Sequence, residues 1–599
     1  MPTTNRAWRF VIRPCIGAED TDIQEPSEVD VEIIEDHWPG QGNQSSQKVP
    51  SEFKFDSSAP GGFKWGFQVE SDPEKISFSK LYLDPTQIQS AQSLAKFTAR
   101  IGRLPPDRTL TEGITLFLKA ICEVAADRMT ADWTKEFVDK TPIEYILTVP
   151  AVWSDKSKSD TLKCAVDAGF CSAGEVSLIT EPEAAAVYTF TTLPEYSIKE
   201  GDIFLTCDAG GGTVDLITYR VLDTKPVLKV EEATLGTGGL CGSVYLNRRF
   251  EDFVSKKIGK YLDELPRVAY VEGMAEIHRA FNEEVKTDFG HGLEDEKEYT
   301  IEVPAGIPDG EEAGVRDGCL VIRQKDLEEV FDPVIDRIVM LIAEQIGAVS
   351  ELPGENKVSA ILLVGGFGSS EYLRRKIEGN PLWEGTGVIQ PVNAWSAVVR
   401  GALLRGLQGD IVTTRKIRNF YGIEYRHGWD PEIHEVGDFA NEAAKHKVWS
   451  DTEQLFFCAQ KMNWYVKRGD EFSSSKVVNF SFYRAITDTA QLRFTEELIT
   501  YTSSGDAPEF IDSRTSSRAP PSPPSPRGLT RVTECSVLAG IEVDLTSFPL
   551  ETWETVQGPA GSYYKVEYAL EMGFEAAISF KVVCKGTVVG EVVADYDKK

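Results

Sequence analysis

The sequence predicts an α/β fold followed by a smaller β-rich domain. Three observations lead there. Short apolar runs and amphipathic helical segments alternate from about residue 111 to 408, the pattern of a sheet covered by helices. Beyond 411 the segments turn aromatic, β-branched and strand-like. The chain has 599 residues, 41% of them hydrophobic, too many for one ordinary core and suited to two or three domains.

Taken in order, residues 1–45 alternate acidic and apolar residues without a core pattern and read as a degenerate N-terminal segment. Residues 46–410 read as one domain. Turns are expected at Pro60-Gly61-Gly62 and Pro105-Pro106. ITLFLKAICEVAADRM has helical apolar spacing, and YILTVPAV is a short buried strand ending at Pro150. SDKSKSDTLKCAVDAGF is a helix with Ser154 or Asp155 as cap and Gly169 as stop. EVSLIT is a strand that ends on Glu181, and PEAAAVYTF a helix with Pro182 at its first position. VSAILLVGG is a strand, and SSEYLRRKIEG the helix after it, with Ser369 as its cap. Residues 411–599 form the β-rich domain, with no long amphipathic helix to serve as a lid. The Pro/Ser-rich run 513–529 interrupts it and is expected to be disordered.

Composition excludes several partners. The net charge of −31 argues against nucleic acid, whose phosphates need a basic surface. No apolar run approaches the roughly 18 residues of a membrane span, and the start MPTTNRAWRFVIRPC makes a poor signal peptide. The ten cysteines are scattered without a CxxC, which suits a reduced compartment, cytoplasmic or nuclear. The six histidines are dispersed, and His427 and His434 read as ordinary surface residues.

The stretch IFLTCDAGGGTVDLITYRV carries the chemistry. Two strands flank a glycine turn, so they form an antiparallel hairpin. Successive amides in such a turn make a nest for an anion, and glycine lets the backbone approach it closely. Asp208 stands where a hydrated Mg²⁺ riding on phosphates would sit, and Thr213 offers a hydroxyl.

LTVPAVW, LITEPEAAAVY, CDAGGGTVDL and ILLVGGFGSS follow one another in that order. Together they resemble the nucleotide-binding domain of the 70-kDa heat-shock chaperone family. GLCGSVYLNRRF and GGFGSSEYL resemble its divergent branch, without the usual peptide-binding region. The resemblance implies an actin-like ATPase fold, duplicated and two-lobed with ribonuclease-H-like halves. It implies ATP or ADP with Mg²⁺ as cofactors, and client or co-chaperone proteins of a stress response as partners. Asp208 would hold Mg²⁺ through water, and Gly210, Gly211, Gly212 and Thr213 would cradle the β- and γ-phosphates. Glu181 matches the acidic residue that orients metal-bound water, and Lys80 the phosphate-reaching lysine. Gly365, Gly366 and Gly368 match the loop beside the adenosine, and Gly242 joins the nucleotide set. Glu283 and Lys286, three apart on one helical face, match either a ribose-contacting pair or a surface ion pair. The family's next residue is an arginine that stacks on adenine; here it is Thr287.

The family grips phosphate with two hairpins, one from each half. Its first is an Asp-x-Gly-Thr-Thr turn, whereas residues 8–41 here hold Gly17 but no Gly-Thr pair. Either the start of the gene is misassigned or the nucleotide site is degenerate. Three functions follow: an atypical ATPase with weak or absent hydrolysis, a non-hydrolysing nucleotide-binding scaffold that regulates a partner, and a sugar kinase of the same fold. A kinase needs the first hairpin and a base in a sugar pocket, and neither is visible.

Overall fold

A computed structural model of the chain describes residues 10–14, 34, 38–43, 45–46, 48–69, 72, 74–77, 80, 83–84, 104–140, 143–169, 176–192, 198–225, 228–292, 297–409, 411–436, 440–473, 477–503, 505–511, 535–574 and 578–593. The region around Gly17 and the run 513–529 lie outside these residues. The chain divides into two compact units, residues 1–154 with 161–412 and residues 155–160 with 413–599.

The first unit begins with β1 (Phe10–Pro14), the hairpin β2 (Phe53–Phe55) and β3 (Phe63–Trp65), and helix α1 (Leu110–Asp132). The Thr109 hydroxyl caps α1 by accepting from Glu112 N. A short α2 (Lys135–Lys140) leads to β4 (Ile143–Val149), α3 (Asp155–Asp167), β5 (Val176–Thr180) and α4 (Glu181–Thr192). β4 lies between β1, antiparallel to it, and β5, parallel to it. Glu181 is the first residue of α4 and Pro182 the second, a correction to their expected places at a strand end and at the first helical position. Proline tolerates this turn because the amide it lacks has no intrahelical acceptor there.

The remainder of this unit runs β6 (Ile203–Ala209), β7 (Val214–Asp223), β8 (Lys229–Glu232), β9 (Thr237–Gly239), α5 (Val244–Leu262) and α6 (Arg267–Ala280). Then come β10 (Glu298–Glu302), β11 (Val315–Arg316), β12 (Cys319–Arg323), α7 (Gln324–Ser350), β13 (Val358–Val364), α8 (Glu371–Glu378), β14 (Gly387–Ile389) and α9 (Ala397–Gln408). β6, β7 and β8 are antiparallel, β9 pairs with β7, and β13 runs parallel to both β6 and β14.

Side chains alternate across this sheet as the period of two demands. Leu205, Cys207, Val214 and Leu216 face α5 and α7, packing with Phe250, Val254, Phe331 and Ile338. Phe204, Ile217 and Tyr219 face the opposite way, with Val187 of α4 and Val398 and Ala402 of α9. α4 and α9 approach closely because both offer small residues. A Cβ on Gly401 would lie 1.6 Å from Ala184 O.

The second unit contains β15 (Val412–Lys416), β16 (Phe420–Gly428), α10 (Pro431–His434), α11 (Ala440–Lys445), β17 (Lys447–Ser450), β18 (Leu455–Val466), β19 (Glu471–Ser473), β20 (Val477–Ile486), β21 (Arg493–Tyr501), β22 (Cys535–Asp544), β23 (Glu554–Gly558), β24 (Gly561–Phe574), β25 (Ile578–Cys584) and β26 (Thr587–Val593). One antiparallel sheet has the order β17-β18-β16-β21-β22, and a second has β20-β24-β25-β26 with β23 beside β24. They share a core of Tyr421, Ile423, Leu498 and Ile541 with Val566, Leu570, Met572 and Phe580. Among the described residues of this unit no helix exceeds α11. His427 is half-buried and His434 fully buried, which corrects the expectation of ordinary surface histidines.

Candidate phosphate site

β6 and β7 pair up to Ala209 and Val214, leaving Gly210–Thr213 as the turn. Gly210 N donates to Thr213 O at 2.9 Å and closes it. The three glycine carbonyls are all occupied. Ser243 N donates to Gly210 O (3.1 Å), Val244 N to Gly211 O (2.8 Å) and Gly242 N to Gly212 O (3.3 Å). Among the described residues no backbone acceptor takes the amides of Gly211, Gly212 or Thr213. With its carbonyls tied to the start of α5, the turn keeps these amides for an outside acceptor. Gly242 is what allows α5 so close: a Cβ there would lie 2.6 Å from the backbone of Gly211 and of Gly212.

Asp208 and Asp215 face each other across the hairpin, and both are buried. Facing like charges repel. The amide of Val152 donates to Asp215 Oδ1 at 3.1 Å and offsets one of them. Sequence reasoning gave Asp215 no role, although the Thr-x-Asp spacing displays it. Its task is to hold the loop after β4 against the hairpin.

The loop after β13 closes on the same strand end. Phe367 N and Gly368 N both donate to Ala209 O, at 2.8 and 3.0 Å, and Gly365 N donates to Ala394 O at 3.1 Å. Gly365 has φ +89°, and a Cβ there would lie 2.2 Å from Asp208 Oδ1. Both facts demand glycine. Ser369 is not the cap of α8. Its hydroxyl donates to Gly366 O at 2.8 Å, while Ser370 caps the helix by accepting from Leu373 N. The cap falls one residue later because the last glycine, Gly368, is spent on Ala209.

Lys80 and Glu181 come together as an ion pair, with the Lys80 side chain almost fully buried and its ammonium 5.5 Å from the Trp153 ring centroid. Trp153 follows Val152, so one short loop touches both Asp215 and Lys80.

Glu283 and Lys286 do not act together. Phe281–Val285 is a π-helical turn between α6 and a last turn Lys286–Asp288. Its wider winding breaks the shared face that α-helical spacing predicts. Glu283 turns outward to Arg279, with Oε2 2.6 Å from Nη1. Lys286 turns inward, donating to Asn247 Oδ1 (2.9 Å) and Ser243 O (3.2 Å), and burial lowers its pKa from the ordinary value to about 7. Thr287 Oγ1 donates to Glu283 O at 2.8 Å, so it is turned onto its own helix.

The structure therefore gathers Asp208, Gly210–Thr213, Gly242, Gly365 and Gly368 at one end of the central sheet, pairs Lys80 with Glu181, and turns Glu283 outward. No protein-family profile matches the chain. It is similar to human heat shock 70 kDa protein 12A, 22% identical over 426 residues, which are 57% of this chain and 62% of that protein. It is similar to human heat shock 70 kDa protein 12B, 23% identical over 369 residues, 49% of this chain and 52% of that protein. It also matches the chaperone protein DnaK of Thermoplasma volcanium, 27% identical over 283 residues, 46% of this chain and 42% of that protein. The chain thus spans about two-fifths to three-fifths of the length of these relatives. They are distant homologues, and they place it near the atypical heat-shock 70 kDa proteins.

Proposed function

We propose that residues 46–410 are an actin-like nucleotide-binding domain that takes ATP or ADP with Mg²⁺, in a chaperone-like protein with weak or absent ATP hydrolysis. The turn Gly210–Thr213 carries this reading. Its three amides lack a backbone acceptor among the described residues, beside a buried carboxylate, and phosphate fits that cradle. The strand order β14-β13-β6-β7-β8 agrees with one ribonuclease-H-like half.

The residues divide the work. Gly211, Gly212 and Thr213 would bind phosphate oxygens through their amides, and the Thr213 hydroxyl would add a further donor. Asp208 would hold Mg²⁺ through its water shell, and the ion supplies the positive charge that a facing Asp208–Asp215 pair and a polyphosphate both call for. Gly365 keeps the Asp208 carboxylate in place. Lys80 and Glu181 would orient water and phosphate from the other half. Residues 411–599 would be the β-rich partner domain, acting without a lid on client or co-chaperone proteins.

Weak turnover follows from the first half. Residues 8–41 lack a Gly-Thr pair, and β1 lies antiparallel to β4 as one strand. Removing one preorganised donor from a charged transition state commonly costs roughly 3–4 kcal/mol, and a hairpin supplies several. The same observation favours the second reading, a non-hydrolysing scaffold that regulates a partner.

Calorimetry of the full chain with MgATP and MgADP tests binding, with Gly211→Val to crowd the cradle. No heat at millimolar nucleotide overturns the proposal. Single-turnover phosphate release, with Asp208→Asn as control, separates the weak ATPase from the scaffold.

A further inference from the structure

A second candidate site lies in the β-rich unit. His427 on β16 and Cys458 on β18 are direct cross-strand partners, so their side chains leave the sheet on one face. His434, the last residue of α10, folds back over the same place. Its Nε2 stands 3.1 Å from His427 Nε2, and one donor atom from each of His427, His434 and Cys458 lies within 4.8 Å of the others. His434 and Cys458 are fully buried and His427 half-buried.

We propose that His427, His434 and Cys458 form a three-ligand site for Zn²⁺, with the fourth position left to water or an outside ligand. The donor set is the first argument. Imidazole and thiolate select zinc and similar transition ions over the hard Mg²⁺ proposed for Asp208. Distance is the second. Two nitrogens bound to zinc at about 2.0–2.1 Å in a tetrahedron stand about 3.3 Å apart, close to the spacing of the two Nε2 atoms here. The thiolate needs about 3.6 Å to each nitrogen, a closure of roughly 1 Å that a Cys458 rotamer change or the short α10 supplies.

The third argument is the orientation of His434. Its Nδ1 lies 2.7 Å from Asp430 O. With the proton on Nδ1 and donated to that carbonyl, Nε2 presents its lone pair towards His427, the arrangement in which ligating histidines are held. Trp429 stacks on His434 with centroids 4.8 Å apart, and Tyr425 on His427 at 5.8 Å, so both rings are fixed in orientation. The one cation beside His427 that bears on its charge, Lys461, is paired with Glu509 Oε1 at 2.9 Å. A bound ion would tie β16, β18 and α10 to one another.

The test uses the full chain stripped with chelator and titrated with Co²⁺, then with Zn²⁺. The expected result is one equivalent of Co²⁺ with a thiolate-to-cobalt charge-transfer band and tetrahedral visible absorption, both removed by Zn²⁺. Cys458→Ser abolishes the charge-transfer band, and Cys458→Ser and His427→Gln each weaken binding by more than about 100-fold, beyond the usual effect of an outer-shell change. Cys584→Ser, at a buried cysteine elsewhere in this unit, leaves both features intact. X-ray absorption of the zinc-loaded wild-type chain is independent of any variant's folding, and is expected to give nitrogen and one sulfur in the first shell. No stoichiometric cobalt spectrum, a spectrum that survives in Cys458→Ser, or an all-oxygen shell each overturns the proposal.

Discussion

Lys80 and Glu181, 101 residues apart in the chain, meet as a buried ion pair at the start of α4. The Lys80 side chain is 1% exposed and that of Glu181 13%, so the two charges cannot be exchanged for water separately. Glu181→Gln leaves the buried ammonium short of its counter-charge, and a loss of roughly 3 kcal/mol in urea unfolding is expected. The double variant Lys80→Met, Glu181→Leu recovers part of that loss, because an apolar pair needs no compensation. Equal stability of the single variant and the wild type counts against the pair.

Gly365→Ala tests how Asp208 is positioned. The new methyl would sit 2.2 Å from Asp208 Oδ1 on a backbone at φ +89°. Thermal unfolding and MgADP calorimetry are both expected to fall, whereas Gly387→Ala, where a Cβ meets nothing within 4 Å, changes neither.

Lys286 gives the unit a pH dependence of known sign. Its folded pKa, about 7, lies below the ordinary 10.5 because of burial. Between those values the unfolded chain binds more protons, so wild-type stability rises with pH across that window. Below it the cost of burying the charge is present in full. Lys286→Met lacks the rise. Urea unfolding of both proteins at about pH 6, 8 and 10 is expected to show the wild type gaining on the variant as pH increases, and a constant gap refutes the assignment.

Base selectivity is expected to be poor. Thr287 is turned onto Glu283 O and Glu283 onto Arg279, so neither faces a base or ribose as the heat-shock resemblance implies. ATP and GTP are expected to bind within about tenfold of each other, a difference under ~1.4 kcal/mol. Competition calorimetry decides this, and strong preference for adenine would require a contact from elsewhere in the chain.

In the β-rich unit, Tyr568 OH donates to Glu496 Oε1, which also lies 2.7 Å from Arg484 Nη2. Tyr568→Phe removes a donor to a largely buried carboxylate and is expected to lower stability by roughly 1.5–3 kcal/mol. Chemical denaturation of the full chain, following tryptophan fluorescence, measures it.

Much of this was legible beforehand where local chemistry decides. The Asp208 hairpin announced itself through two apolar strands and three glycines, and α4 through its run of alanines. Three kinds of feature were not legible. The Lys80–Glu181 pair joins residues whose neighbourhood exists only after folding. The π-helical turn at Phe281–Val285 leaves no mark in residue spacing, so Glu283 and Lys286 read as sharing a face that they do not share. The buried histidines stood in polar sequence, and the return of α10 over β16 is what encloses them.

That π-helical turn has a consequence for how the chain tolerates change in length. A turn closed by the Lys286 amide on Phe281 O holds one residue more than a regular helix needs. Deleting one codon within 281–285 would restore even winding and rotate everything after it by about 100°. Lys286 would swing away from Asn247 and Ser243, and the first turn of α5 would lose its tether while no residue of the phosphate turn had been altered. Here the reading frame of the helix, rather than the identity of any side chain, sets the position of the charge.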